Sequence, residues 1–140
     1  MGTQRAGPST EIDRSFPLDP RAPGEARRSL ALLRGLVPSE VVIDLALLVS
    51  EMVTNSLQHS GRSDQIVDVS IRAGADAVRV EVRDSGPGFE PIPLRAAPPP
   101  GTGGWGLFLV DRLATRWGTK PGGVVWAELA YPAAGRRLAG

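Results

Sequence analysis

Two segments of the chain alternate strictly between apolar and polar residues. Val67, Val69 and Ile71 alternate with Asp68, Ser70 and Arg72, and Val78, Val80 and Val82 alternate with Arg79, Glu81 and Arg83. A period of two predicts strands with one apolar and one solvated face, and the intervening Ala73-Gly74-Ala75-Asp76 has hairpin length. Upstream the period changes. From Val41 to His59 there is no Gly or Pro, and at about 100° per residue Val41, Leu45, Leu48, Val49, Met52 and Val53 point one way, with Ser56 small enough to pack among them. This predicts a central core helix, opened by Pro38-Ser39-Glu40 and ended by Gly61. An earlier helix is expected after Asp19-Pro20, with Ala26, Leu30, Leu33 and Leu36 opposite Arg27, Arg28 and Arg34, and with Gly35 near its end. A third is expected from about Gly106 to Arg116, with Leu107, Val110, Leu113 and Ala114 inward. Two closing strands follow, Trp117 to Thr119 and Val124 to Ala130, joined by Lys120-Pro121-Gly122-Gly123.

A sheet with one apolar face asks for helices on one side only. The predicted class is therefore α+β, a two-layer sandwich whose mixed, mostly antiparallel sheet is covered on one face by about three helices. Residues 1–15 mix polar residues and breakers without periodicity and are expected to form a flexible leader. The folded domain is expected over 16–131, and a flexible tail over 132–140.

Composition sharpens this picture in one place. The chain of 140 residues holds 17 Gly and 13 Pro, and twelve of these fall within residues 86–106, whereas residues 37–85 contain only Pro38, Gly61 and Gly74. A long breaker-rich loop inside a compact domain is usually functional or disordered. Other counts exclude chemistries. No cysteine and a single histidine, His59, rule out disulfides, thiol nucleophiles and His- or Cys-rich zinc sites. Lys120 is the only lysine, so no P-loop-type lysine follows a Gly-rich stretch. A net charge of +1 gives no broad field for direct nucleic-acid or membrane binding, and no apolar run approaches the length of a membrane span. A cytoplasmic domain is expected.

Three features carry candidate chemistry. Glu51, Asn55 and His59 follow one another at four-residue steps on the core helix and form a stripe beside its apolar face. Asn55 can supply one oxygen to Mg²⁺, which prefers few protein ligands plus phosphate and water, while Glu51 can accept a proton. Asp84-Ser85-Gly86-Pro87-Gly88-Phe89 follows a strand end, where a carboxylate can accept an exocyclic amine and glycines admit a flat ring. Gly101-Thr102-Gly103-Gly104-Trp105-Gly106-Leu107 opens the third helix, whose free amides make an anion site. Each feature alone also has a structural reading: a polar helix flank, an Asp-Gly turn, a linker.

Together the three resemble the Bergerat-type (GHKL) ATP-binding fold of gyrase-, histidine-kinase- and MutL-like proteins. SEMVTNSLQHS matches the N-box, DSGPGF the first Gly box and GTGGWGLFLV the second. Within that group the short chain, with Glu four residues before the Asn and the run GLFLVDRLATRWG, resembles the anti-sigma-factor serine kinases. The resemblance implies ATP and Mg²⁺ as cofactors. It implies two partners, a sigma factor and a STAS-like anti-anti-sigma protein whose serine or threonine is phosphorylated, and suggests a homodimer. By position it implies Glu51 as general base, Asn55 as Mg²⁺ ligand and Asp84 as acceptor of the adenine amine. Gly86 and Gly88 would lie along the base, and Thr102, Gly103, Gly104, Trp105, Gly106 and Leu107 would contact phosphate or cover the nucleotide, under a lid made by residues 90–104 that carries Arg95. One departure stands out. Relatives carry a Thr in the closing strand, and here the stretch is Gly122-Gly123-Val124-Val125, without that hydroxyl. A nucleotide-gated binding module with little catalysis is the alternative this departure raises.

Overall fold

The computed structural model describes residues 9–60, 65–84 and 105–132. Its elements are β1 (Thr10–Pro17), α1 (Ala22–Ser29) running into a 3-10 turn (Leu30–Leu33), α2 (Ser39–Ser60), β2 (Ile66–Ala73), β3 (Ala77–Asp84), α3 (Trp105–Leu113), β4 (Arg116–Lys120) and β5 (Val124–Ala130). The strands form one sheet in the order β1-β2-β3-β5-β4, and every pairing is antiparallel. Helices and sheet share one core, in which Leu45, Leu48, Val49 and Val53 of α2 meet Val67, Val69, Ile71, Val78, Val80 and Val82 of the central strands. The two-layer α+β architecture expected from periodicity is the one found.

The first strand corrects the expected leader. Thr10 to Ser15, assigned by the sequence to a flexible segment ending at residue 15, pair with β2 from Thr10↔Ala73 onward. The physical reason is that β1 is an edge strand with a single deep anchor, Ile12, 4% exposed, while Glu11, Asp13, Arg14 and Ser15 are exposed. One apolar residue makes no detectable period. Polar pairs hold the rest of the strand: Glu11 with Arg72 at 3.2 Å, and the Ser15 hydroxyl donating to Asp68 Oδ1.

The first helix is shorter than its apolar pattern suggests. Asp19 Oδ1 accepts the Arg21 amide at 2.8 Å and closes a turn, and α1 starts only at Ala22 with a proline in its first turn. The helical path ends at Leu33. Gly35 takes φ +82°, a left-handed conformation that reverses the chain at little steric cost, and Leu36 is left 57% exposed instead of joining the core. At the other end of the domain α3 stops at Leu113, and Arg116, expected inside the helix, opens β4. Of the expected tail, residues 133–140 lie outside the described residues.

The solvated face of the sheet carries its own network. Glu128 accepts from Arg116 at 2.6 Å and from Arg79 at 2.9 Å, and Glu81 accepts from Arg79 and Lys120, each at 3.0 Å. Arg79 also lies over the indole of Trp126, 4.2 Å from its centroid. The Trp126 ring rests on the bare backbone of Gly118, where an added Cβ would come within 3.1 Å of it.

Candidate functional site

Topology brings the candidate residues to one end of the sandwich. β3 ends at Asp84, and because β2 and β3 are antiparallel this is also the end at which β2 begins. α2 finishes at Ser60, five positions before Gln65, so its last turns lie at the same end. α3 joins it from the other side of the chain. Ala114 and Thr115 turn α3 back on β4, and the turn is fixed by Thr115 N donating to Glu128 O at 2.7 Å and Ala130 N donating to Thr115 Oγ1 at 2.9 Å. Trp117 Nε1 then donates to Asp111 Oδ1 at 2.9 Å, clamping the last turns of α3 to β4. The N-terminus of α3 is thereby directed toward the Lys120–Val124 end of the β4–β5 pair, and Val124 in turn pairs with Arg83. Free amides at a helix N-terminus favour anions.

Burial separates the roles of the side chains. Asp84 is 6% exposed and stands on the core face of β3, two residues beyond Val82. Asn55 is 5% exposed, one helical turn after Glu51, which is half-buried. Among the described residues Glu51 makes no ion pair or side-chain hydrogen bond, so its carboxylate is available as a proton acceptor. The neighbouring Ser50 is committed: its hydroxyl donates to Ala46 O at 2.7 Å and accepts from Arg27 Nη1 at 2.9 Å. Of Trp105, Gly106 and Leu107 only the backbone is described, as the first turn of α3, and of His59 only its place in the last turn of α2. Gly86, Gly88, Thr102, Gly103, Gly104 and Arg95 lie outside the described residues, as does the expected lid.

The donor set suits Mg²⁺ held chiefly by phosphate. Among the described residues no cluster of three or more His, Cys, Asp and Glu could cage a metal. Asn55 offers a single shielded carbonyl oxygen, which matches a small hard cation that keeps its other positions for water and phosphate oxygens.

Register sets the two valines of the closing strand on opposite faces. Val124 pairs with Arg83 and is 4% exposed, whereas Val125 pairs with Val82 and joins the core. Of the two, Val125 shares the core face with Asp84, diagonal to it. Sequence reasoning also passed over Gln65, which is 7% exposed just before β2. The signal was present, since the alternation Val67, Val69, Ile71 extends backward to position 65.

Residues 16–127 match a family model described as histidine kinase-like ATPase domain. Among solved structures, the chain is similar to the RsbU and RsbW domains of a Mycobacterium tuberculosis protein, with a TM-score of 0.59 and 19% identity over 89% of this chain and 32% of that one. The chain thus spans about a third of the length of that solved relative. It is also similar to the histidine kinase domain of the blue-light activated histidine kinase of Erythrobacter litoralis EL346, with 24% identity over 95% of this chain and 66% of that one, and a TM-score of 0.47. A comparison with curated proteins found no match.

Proposed function

The chain belongs to the histidine kinase-like ATPase domain family, and from that premise we propose that it is an ATP-dependent protein serine/threonine kinase and anti-sigma factor, acting on a sigma factor and on a STAS-like anti-anti-sigma protein. The observation that carries this reading is the pairing on α2: a half-buried carboxylate with no partner among the described residues, Glu51, one turn before a buried amide, Asn55, at the sheet end that also holds the buried Asp84. The fold likeness to a structure that contains an RsbW domain supports the same branch.

In this reading Asp84 accepts a hydrogen bond from the adenine amine, the first turn of α3 presents backbone amides to phosphate, and Asn55 supplies one oxygen to Mg²⁺. A bound Mg²⁺ would supply neutralisation of phosphate charge. Glu51 takes the proton from the partner's serine or threonine hydroxyl as that oxygen bonds to the γ-phosphorus and the bond to the ADP oxygen breaks. A half-exposed Glu51 suits this role because the acceptor hydroxyl arrives on another protein. The partner-docking candidate is the groove between α1 and α2, lined by Arg27, Arg28, Arg34, Val42, Ile43 and Ala46. Arg27 is tied to Ser50 and Arg28 to Glu25, and Ile43 is 69% exposed. A second copy of the chain is the remaining proposed partner.

The test is phosphotransfer from labelled ATP to candidate anti-anti-sigma proteins. The wild type should transfer, while Glu51→Gln should bind ATP normally and transfer at least a hundredfold more slowly, the usual scale of a general base. Normal transfer by Glu51→Gln would remove Glu51 from the chemistry. The absence of a hydroxyl in the closing-strand stretch Gly122-Gly123-Val124-Val125 favours one second reading, a nucleotide-gated binding module. ATP binding without transfer to any partner would select it.

A further inference from the structure

The strands on either side of β3 offer Asp84 two very different neighbours. On β5 the flanking residue of the core face is Val125, which can make no hydrogen bond. On β2 it is Gln65. The Gln65 carbonyl accepts from Leu18 N at 2.8 Å, holding the residue in line with the strand. Its burial at 7% exposure, followed by exposed Ile66 and buried Val67, continues the alternation that puts residues 67, 69 and 71 on the core face. Since Val67 pairs with Asp84, Gln65 is the diagonal neighbour of Asp84. Diagonal neighbours lie about 7–8 Å apart, close enough for two side chains to converge on one ligand group.

The second observation is chemical. Gln65 Oε1 is buried and makes no hydrogen bond, the sole such side-chain atom among the described residues. A buried acceptor without a donor is unfavourable, because its lost hydration is not replaced, and it is uncommon enough in folded proteins to require a reason.

We propose that Gln65 is a specificity-determining residue for the nucleotide base, its side-chain amide sharing the exocyclic amine of adenine with Asp84. This rests on the reading of the site as an ATP site. An exocyclic amine has two N–H groups; Asp84 accepts one and Gln65 Oε1 the other. A guanine in the same pose turns a carbonyl oxygen toward the Asp84 carboxylate, which has no proton to donate, so the site also discriminates between purines. The contact compensates, from the residue preceding β2, for the hydroxyl that the closing strand lacks.

The test compares wild type, Gln65→Leu and Gln65→Met by calorimetry with Mg²⁺ and, in turn, ATP, GTP and purine riboside triphosphate, which has no exocyclic amine. Thermal melts check that each variant is folded; both substitutions remove a buried polar group without opening a cavity, and either one suffices for the comparison. The wild type should prefer ATP. Both variants should lose about three- to tenfold in ATP affinity, the scale of one neutral hydrogen bond, and should bind purine riboside triphosphate as the wild type does. Unchanged ATP affinity, or an equal loss with both nucleotides, would overturn the assignment of Gln65 while leaving the ATP site intact. Failure of the wild type to bind any of the three would instead overturn the ATP site, and the role of Gln65 with it.

Discussion

Replacing Asp84 gives the most direct test of where the base lies. The carboxylate is 6% exposed at the end of β3, so a hydrogen bond from a ligand amine would form in a largely dehydrated place. Hydrogen bonds to charged groups contribute about 1.5–3 kcal/mol, and the low exposure argues for the upper half of that range. Asp84→Ala should therefore weaken ATP binding by roughly 50- to 150-fold, at 1.4 kcal/mol per factor of ten. Asp84→Asn keeps an acceptor oxygen but loses the charge, a difference of about 1–1.5 kcal/mol or roughly five- to tenfold. The same ordering should appear in melting experiments. A wild-type protein held at a ligand concentration of about 100 times its Kd gains about 2.7 kcal/mol, whereas a variant with a 50-fold weaker Kd gains only about 0.6 kcal/mol at that concentration. Calorimetry with ATP and Mg²⁺ measures the affinities, and triphosphate alone serves as a ligand without a base. If Asp84→Ala binds ATP within threefold of wild type, or weakens triphosphate equally, Asp84 does not contact the base.

Three further outcomes follow from the fold. Glu128 is held below its ordinary value of 4.5 by its hydrogen bond from Arg116 and by Arg79, against an opposing effect of burial. Its stabilisation is thus fully present above about pH 4.5 and is lost as pH falls through the lower folded-state value; melts from pH 7 to 3 should show this loss, and Glu128→Gln should flatten it. Gly118→Ala brings a methyl group within 3.1 Å of the Trp126 ring and should cost about 1–2 kcal/mol in denaturant unfolding with a shift in Trp fluorescence, an unshifted midpoint being the contrary result. Val125→Thr sets a hydroxyl beside Asp84 on the core face. It should lower unliganded stability by about 1–2 kcal/mol and tighten ATP binding, and unchanged affinity would show that β5 does not reach the base.

The parts of the fold legible in the sequence were those with a full period. β2 and β3 alternate over three apolar residues each, and α2 repeats its apolar face through Leu45, Leu48, Val49, Met52 and Val53, all of them buried. β1 was illegible because an edge strand needs one anchor, Ile12, and fills its remaining positions with polar pairs. The end of the first helix was misjudged because Leu36 keeps the helical spacing while Gly35 turns the backbone out of it. In the candidate site, Glu51, Asn55 and Asp84 could be singled out as candidates because each sits in a regular element, while the roles given to them rest on the resemblance of the three motifs taken together. Which residues flank Asp84 could not, because that depends on register between strands distant in sequence. Register sets Val125 on one side and Gln65 on the other, each diagonal to Asp84 on the core face.

The distribution of burial at this end of the sandwich follows from what each group must meet. Asn55 and Asp84 are both within a few per cent of full burial, and the buried residues near them in sequence or register are short or β-branched: Ser56 and Val53 on α2, Val67 on β2, Val82 on β3. Close packing of such residues leaves few rotamers, so the separation between helix and strand end is fixed by the core and is not set by a flexible loop. A base and a metal-bound phosphate chain are small and of constant shape, and a fixed separation suits them. Glu51 stands one turn before Asn55 on the same helix and is half-buried. In the proposed function, the helix that anchors Asn55 would therefore also present Glu51 to a partner. In that reading, a displacement of α2 on docking in the α1–α2 groove would move both groups together and would couple partner binding to nucleotide binding without a separate relay.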